Sequence, residues 1–349
     1  MTAPPALDLK GVVWEETACP LCGARHEEEI LRTASPCGSA TYRLVRCRRC
    51  GLGYLNPRPD EHTIGLFYPD DYHCYQPPSR QPSAWSRGKA WLKRLVMARR
   101  FGTRPPLTRW HEKALAWLGS WWLSPRPHSL TALPYHGEGR LLDYGCGSGW
   151  YAQQMRELGW QVTAMDFSSY AAAQVRARYG IPTLTGALPH PEVAAGSFDV
   201  ITLGAVLEHV HRPRHLIAAA AAALRPGGYL VVSVPNLASW GFRYFRQHWW
   251  GLHLPHHLLH FTSDTLHQLL TGQGLEVRRL RTVPRPGWMQ RSLKAARAGG
   301  TEARRPLFVR LGKLRVVSSL LTRWTGWTGE TDCIEAIAYR PAVAVAQAA

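Results

Sequence analysis

Arg140-Leu-Leu-Asp-Tyr-Gly-Cys-Gly-Ser-Gly149, running directly into Trp150-Tyr-Ala-Gln-Gln-Met-Arg-Glu-Leu158, decides the fold. A short apolar strand breaks into a loop with glycine at every second position, and a helix starts at once. Working outward, Gln161 to Met165 reads as a second strand and Ser169 to Arg178 as a second helix. Phe198 to Leu203 is a further strand, Pro213 to Leu224 a helix, and Tyr229 to Val234 and Glu276 to Thr282 are strands. Strands alternating with helices predict an α/β, Rossmann-like doubly wound sheet, mainly parallel, with its ligand at the strand C-termini.

The glycine loop narrows the ligand. A dinucleotide fingerprint needs a third glycine where helix and strand pack closely. Counting from Gly145, that position is Trp150. What stands here is Asp143-x-Gly145-x-Gly147-x-Gly149, the pattern of S-adenosylmethionine sites. Gly145, Gly147 and Gly149 let the backbone pass close beneath the methionine part, Tyr144 and Cys146 belong to the same cofactor-binding loop, and the helix N-terminus can receive the carboxylate. Asp143 is placed to meet an amino group. About 20 residues further on, Asp166 ends the second strand, where a carboxylate accepts bonds from both hydroxyls of a ribose. Phe167 beside it is placed to pack on an adenine.

Four of the eight cysteines form two pairs, Cys19-Pro-Leu-Cys22-Gly23 and Cys47-Arg-Arg-Cys50-Gly51, about 24 residues apart. The separation is slightly above the usual zinc-ribbon spacing, but pairing of this kind points to metal, and four thiolates complete a closed, structural shell. Ala40 to Arg46 alternates as a strand feeding the second pair. A segment this short has almost no core of its own, so metal is expected to order it. His26 and Cys37 lie outside the pairs.

The chain has 349 residues and a formal net charge of +18, which attracts something anionic. No apolar run approaches the ~20 residues of a membrane span, and Met1-Thr-Ala-Pro-Pro5 does not open like a secretory signal. A cytoplasmic protein is expected. From Tyr72 to His111 there is no Asp or Glu, and this stretch carries Trp91, with Trp110, Trp117, Trp121 and Trp122 around and beyond its end. Arg285 to Trp327 holds ten basic residues against Glu302, with Trp324 and Trp327. Basic residues with tryptophan suit an anionic membrane surface, so peripheral contact at the inner membrane face is a second expectation. A zinc knuckle on a basic protein also fits a non-catalytic nucleic-acid binder, but a pure scaffold has no use for the glycine loop and Asp166.

Taken together, Leu141-Leu-Asp-Tyr-Gly-Cys-Gly-Ser-Gly149, Phe198-Asp-Val-Ile-Thr-Leu203, Val206-Leu-Glu-His-Val210, Leu224-Arg-Pro-Gly-Gly228 and Val234-Pro-Asn236 resemble the successive motifs of class I S-adenosylmethionine methyltransferases. With the cysteine pairs, Leu55-Asn-Pro-Arg-Pro59 and His256-His-Leu-Leu-His-Phe261, the chain is similar to a bacterial zinc-knuckle subgroup related to ubiquinone-type and sugar-modifying enzymes. The likeness covers Ala18 to Tyr75 and Gly139 to Val283, and Asp332 to Tyr339 fits the fold's last, antiparallel strand. It implies that Ala187 and Leu188 flank the adenine and that Leu203 lies near the methionine part.

Methyl transfer from a sulfonium needs alignment and exclusion of water, with a general base when the acceptor is a hydroxyl or carbon acid. His209 and His256 are the candidates, with His257 and His260 nearby. His209 also reads as a helix-start residue tied to Glu208. The place where amino-methylating nucleic-acid enzymes carry Asn/Asp-Pro-Pro-aromatic reads Leu203-Gly-Ala-Val206, and an arginine substrate requires two glutamates where only Glu208 stands. The expected acceptor is therefore small or carrier-linked and polar, such as a sugar or glycan. The expected layout is a zinc module (15–60), a basic, Trp-rich helical cap (61–138), the core (139–284), a basic helical insertion (285–328), the last strand (329–341) and a disordered tail (342–349).

Overall fold

The computed structural model describes residues 11–34, 41–76, 84–102, 108–122, 133–298 and 328–342. Cys37, most of the expected insertion and all but the first residue of the expected tail lie outside them. The chain divides into two compact units, one from residues 1–69, 205–217 and 232–337, the other from 70–204, 218–231 and 338–349.

The first unit opens with β1 (Trp14–Glu15), β2 (Glu27–Ala34), β3 (Thr41–Cys47), β4 (Gly53–Leu55) and β5 (Arg58–Pro59). The strand expected to feed the second cysteine pair is β3, which ends on Cys47 itself. β2 and β3 are antiparallel, Glu27 opposite Cys47, with an irregularity between Glu29 and Leu31.

The second unit begins with α1 (Ala84–Phe101) and α2 (Trp110–Trp122). Gly119 allows their close approach: a Cβ there would lie 2.8 Å from Val96 Cγ2 and 3.0 Å from Leu92 Cδ1. The alternating core follows as β6 (Arg140–Tyr144), α3 (Trp150–Glu157), β7 (Gln161–Asp166), α4 (Ser169–Tyr179), β8 (Thr183–Thr185) and β9 (Phe198–Gly204). β6 pairs in parallel with both β7 and β9, and β7 with β8. Strands covered on both faces need apolar side chains throughout. Leu141, Leu142, Val200, Ile201 and Leu203 are accordingly buried. Ser168 caps α4 by accepting from the Ala171 amide at 3.2 Å, and Gly180, in the left-handed region, ends it.

Next come α5 (Pro213–Ala223) and β10 (Leu224–Pro235). The Arg225-Pro-Gly-Gly228 run that follows the helix is already strand. Gly227 N donates to Arg340 O and Arg340 N to Gly228 O, both at 2.9 Å, which supplies the ladder that sequence alone did not reveal.

Back in the first unit, α6 (Trp240–Phe245), β11 (Leu259–His260), α7 (Ser263–Thr271), β12 (Glu276–Val283), α8 (Pro286–Ala298) and β13 (Cys333–Tyr339) complete the described elements. β11 pairs antiparallel with β4, giving a four-stranded sheet of order β11-β4-β3-β2. Leu44 of β3 shares one buried cluster with Phe242, Phe245, Trp249, Leu252, Met289 and Leu293. β3, which ends on Cys47, is therefore part of the core of this unit. The seven-stranded sheet has the order β12-β13-β10-β9-β6-β7-β8, so the last strand of the chain lies between β10 and β12.

Candidate cofactor site, histidine cluster and cysteine centre

In the second unit the loop after β6 takes the shape its glycines permit. Gly145, Gly147 and Gly149 have φ of 74°, 50° and 71°, which side-chain-bearing residues rarely adopt. Gly145 and Cys146 donate their amides to Met165 O at 2.7 and 3.0 Å, fastening the loop to β7. A Cβ on Gly147 would sit 2.9 Å from Cys74 O, and one on Gly149 2.7 Å from Val175.

Asp143 ends β6 almost fully buried. Its Oδ1 accepts from the Thr202 hydroxyl at 3.2 Å, while its Oδ2 is buried with no hydrogen bond. Burial pushes this carboxyl up to about 7; the Thr202 bond offsets part of that and the nearby Asp166 charge adds to it. Asp166 ends β7 and accepts from Gly147 N (2.9 Å) and Ser168 N (3.0 Å). Its pKa is raised by burial, against the two amides. A carboxylate has about four acceptor positions, so two remain for a ligand. Gly186 N donates to Asp166 O at 2.9 Å, which brings Ala187 and Leu188 beside Asp166. Tyr144 is pushed up to about 12 by burial, against a bond from the Leu188 backbone. Leu188 and Leu203 are buried, Ala187 is exposed, and the Phe167 side chain is 53% exposed. The loop, both carboxylates and residues 187–188 thus converge on one end of β6, β7 and β8.

Sequence reasoning passed over the segment Tyr72 to Gln76. Cys74 lies against Gly147, and the buried Tyr75 packs its ring 6.5 Å from that of Tyr170. Its hydroxyl is pushed far up by burial and by the Asp166 charge. The aromatic run Phe67 to Tyr72 was the available signal, but it carries no period that identifies a ligand wall.

The histidines gather in the first unit. Glu208 sits in the short turn Leu207–His209, fully buried, with neither carboxylate oxygen hydrogen-bonded. Burial raises it to about 8. His257 Nδ1 lies 2.9 Å from Gly251 O and so carries the proton, turning its lone-pair nitrogen Nε2 toward Glu208 Oε1 at 3.9 Å. Burial, then the neighbouring His209, His253 and His260, hold His257 well below its ordinary value.

His209 Nδ1 is 2.7 Å from the Tyr68 hydroxyl and 2.9 Å from His256 O. The ring turns toward Tyr68, and Glu208, to which the sequence ties it, lies in the same cluster and faces His257. His256 donates Nε2–H to Phe67 O at 3.0 Å and stacks on His253 at 4.5 Å. Ligand atoms of Glu208, His209 and His257 all lie within 4.8 Å of one another. A carboxyl and two imidazoles this close can pass a single proton among them. His257 and Tyr68 were the residues sequence reasoning ranked too low, because their partners are 49 and 141 positions away from them in the chain.

The four paired cysteines also converge in this unit. Cys19 and Cys50 approach to 3.5 Å, as do Cys22 and Cys47, and all four sulfurs lie within 4.8 Å of one another. The two knuckles repeat one geometry: Gly23 N donates to Cys19 O and Gly51 N to Cys47 O, both at 2.9 Å. Gly23 and Gly51 have φ of 74° and 81°, which frees backbone amides to point at sulfur. Burial raises Cys47, but the amides of Cys50 and Arg49 outweigh it and bring the thiol down to about 7.

Residues 123–280 match a family model described as a methyltransferase domain. This segment is therefore similar to methyltransferase domains, and its glycine loop has the pattern that class I S-adenosylmethionine-dependent methyltransferases carry. Among curated proteins the chain is similar to the ubiquinone biosynthesis O-methyltransferases of Albidiferax ferrireducens (36% identical over 105 residues, 28% of this chain and 41% of that protein) and Xanthomonas euvesicatoria (34% over 144 residues, 36% and 60%). It thus spans only about half the length of these relatives. A solved S-adenosylmethionine-dependent methyltransferase from Mesorhizobium loti aligns at 21% identity with a TM-score of 0.41, over 60% of this chain and 94% of that one.

Proposed function

We propose that the protein transfers a methyl group from S-adenosylmethionine to a small or carrier-linked polar acceptor, of the sugar or glycan class. The observation that carries the reading is the Asp143 carboxyl, whose buried Oδ2 has no partner beside a loop stripped of Cβ atoms. A buried polar atom costs about 1–3 kcal/mol when unsatisfied, so a ligand that donates to it is favoured. The ammonium of S-adenosylmethionine fits Asp143, its ribose hydroxyls fit the two open positions of Asp166, and its adenine fits Phe167, Ala187 and Leu188. Bound there, the cofactor supplies an electrophilic methyl group on a sulfonium.

The chain's own residues orient the cofactor, exclude water and accept a proton. His209 and His256 are the proton acceptors of this reading, with the Glu208–His257 pair as a reserve. The curated relatives are named O-methyltransferases, so hydroxyl acceptors are the first class to screen. The four cysteines hold a structural zinc: sulfurs 2.3 Å from a tetrahedral ion stand about 3.8 Å apart, close to the separations found.

Calorimetric titration of the purified protein with S-adenosylmethionine and its demethylated product tests the cofactor reading. Micromolar binding that Asp166→Ala loses is expected; no binding to folded wild-type protein overturns it. Elemental analysis should return one zinc per chain. With an acceptor in hand, His209→Ala and His256→Ala should lower kcat with cofactor affinity unchanged.

A further inference from the structure

We propose that the α1–α2 hairpin of the second unit is a docking surface for an anionic lipid membrane. The hairpin is closed on the inside by Ala116, Gly119, Leu95 and Val96. That seam uses up the face of α2 that a surface helix ordinarily buries. α2 nevertheless carries a second apolar stripe, Trp110, Ala114, Trp117 and Leu118, spaced i, i+4, i+7 and i+8 on one face. Trp110 is 80% exposed, Trp117 50% and Leu118 52%, with Leu115 and Trp91 also exposed. Scattered apolar side chains on a surface need no explanation, but a row on one helix face marks a contact.

Charge identifies the occupant. Lys113 and Arg109 at the start of α2 are exposed, as are Arg94 and Arg99 of α1. Glu112 is the one acid between Tyr72 and Trp122. Indole rings take positions at the level of lipid headgroups, apolar helix faces enter the acyl boundary, and Lys and Arg are drawn to anionic headgroups. No helix among the described residues is long and apolar enough to cross a membrane, so the contact is peripheral. A protein partner offers no comparable reason for tryptophans and a nearly acid-free basic flank to occur together.

The hairpin follows the Tyr72–Gln76 segment in sequence, and that segment packs on the cofactor loop through Cys74 and Gly147. Docking therefore engages the part of the chain that leads into the cofactor wall, which suits an acceptor presented by a lipid.

The test uses the full chain with vesicles of phosphatidylcholine alone and of phosphatidylcholine with one quarter phosphatidylglycerol. Wild-type protein should co-sediment with the anionic vesicles at least tenfold better than with the neutral ones, with a blue shift of tryptophan emission. The variant Trp110→Ser/Leu118→Ser should lose about tenfold in partitioning and the blue shift. The variant Arg94→Gln/Arg99→Gln/Lys113→Gln should lose the preference for anionic vesicles. Titration with S-adenosylmethionine checks that each variant is folded; if the cofactor does not bind even wild type, circular dichroism replaces it, and the docking result stands apart from the catalytic reading. Equal binding to both vesicle types overturns the proposal, as does wild-type partitioning by Trp110→Ser/Leu118→Ser. So does a wild-type dimer in solution that this variant dissolves, which would make the stripe a contact between copies. Competition by free glycerol phosphate as strong as that by vesicles would reduce the surface to an anion site and overturn it too.

Discussion

Asp143 and Glu208 are carboxyls held by burial near 7 and 8, where small pH changes alter their charge. Asp143 must be ionised to meet an ammonium. Affinity for S-adenosylmethionine should therefore rise with pH toward and through 7, approaching tenfold per pH unit on the acid side. Asp143→Asn should weaken binding and flatten that dependence; calorimetry at pH 6, 7 and 8 separates the outcomes. Glu208 bears on stability. Its folded value lies above the ordinary 4.5, so the folded state keeps a proton that the unfolded chain gives up. Stability should fall as pH rises from about 4.5 to about 8, by up to about 1.4 kcal/mol per unit from this group. The buried His260, pushed down to about 4, acts at the other end, costing stability as pH falls from about 6.5. Urea unfolding of wild type and Glu208→Gln at pH 5, 6.5 and 8 isolates the carboxyl: the variant should gain on the wild type as pH rises, and parallel curves would refute the assignment.

At the scale of elements, the pairing of β4 with β11 brings the histidine run into the sheet whose β3 ends on Cys47. Gly53 makes it possible. A Cβ there would lie 2.6 Å from Leu237 Cδ2 and 3.1 Å from His260 Cβ, so Gly53→Val should force the strands apart. Overpacking of this kind costs about 1–3 kcal/mol. Thermal unfolding should show that loss, and turnover should fall more than cofactor affinity, because the glycine loop belongs to other strands. The knuckles and the β6–loop–α3 unit were legible in the sequence, since each is set by neighbours a few positions apart. β11 was not: two residues have no periodicity, and Leu259 and His260 form a strand only because β4 is there to pair with.

Over the whole molecule, each unit is assembled from three separated stretches of chain. The expected zinc module is therefore no independent bead: Leu44 is buried among Phe242, Phe245, Trp249 and Met289, and Arg58 donates to His211 O at 3.2 Å. A chain lacking residues 1–60 should aggregate or stay unfolded even with zinc and cofactor present. Solubility and circular dichroism check this, and a soluble, cofactor-binding truncation would show the module to be dispensable. The layout read from sequence cut the chain into consecutive blocks, because composition changes along the chain while packing brings distant stretches together.

The glycine loop, the pairing of the four cysteines and the alternating core were legible in the sequence itself, because glycine spacing, cysteine spacing and hydrophobic period are local codes. Asp143 and Asp166 were recognisable from their places at strand ends. Tertiary structure alone decided which histidine faces Glu208, that His209 turns to Tyr68, that Cys74 closes over Gly147, and that α2 keeps a tryptophan row outside its packed seam. Each of these depends on pairings between residues far apart in the chain, or on which of two apolar faces finds a neighbour. No local pattern encodes that choice; it is made when the core closes.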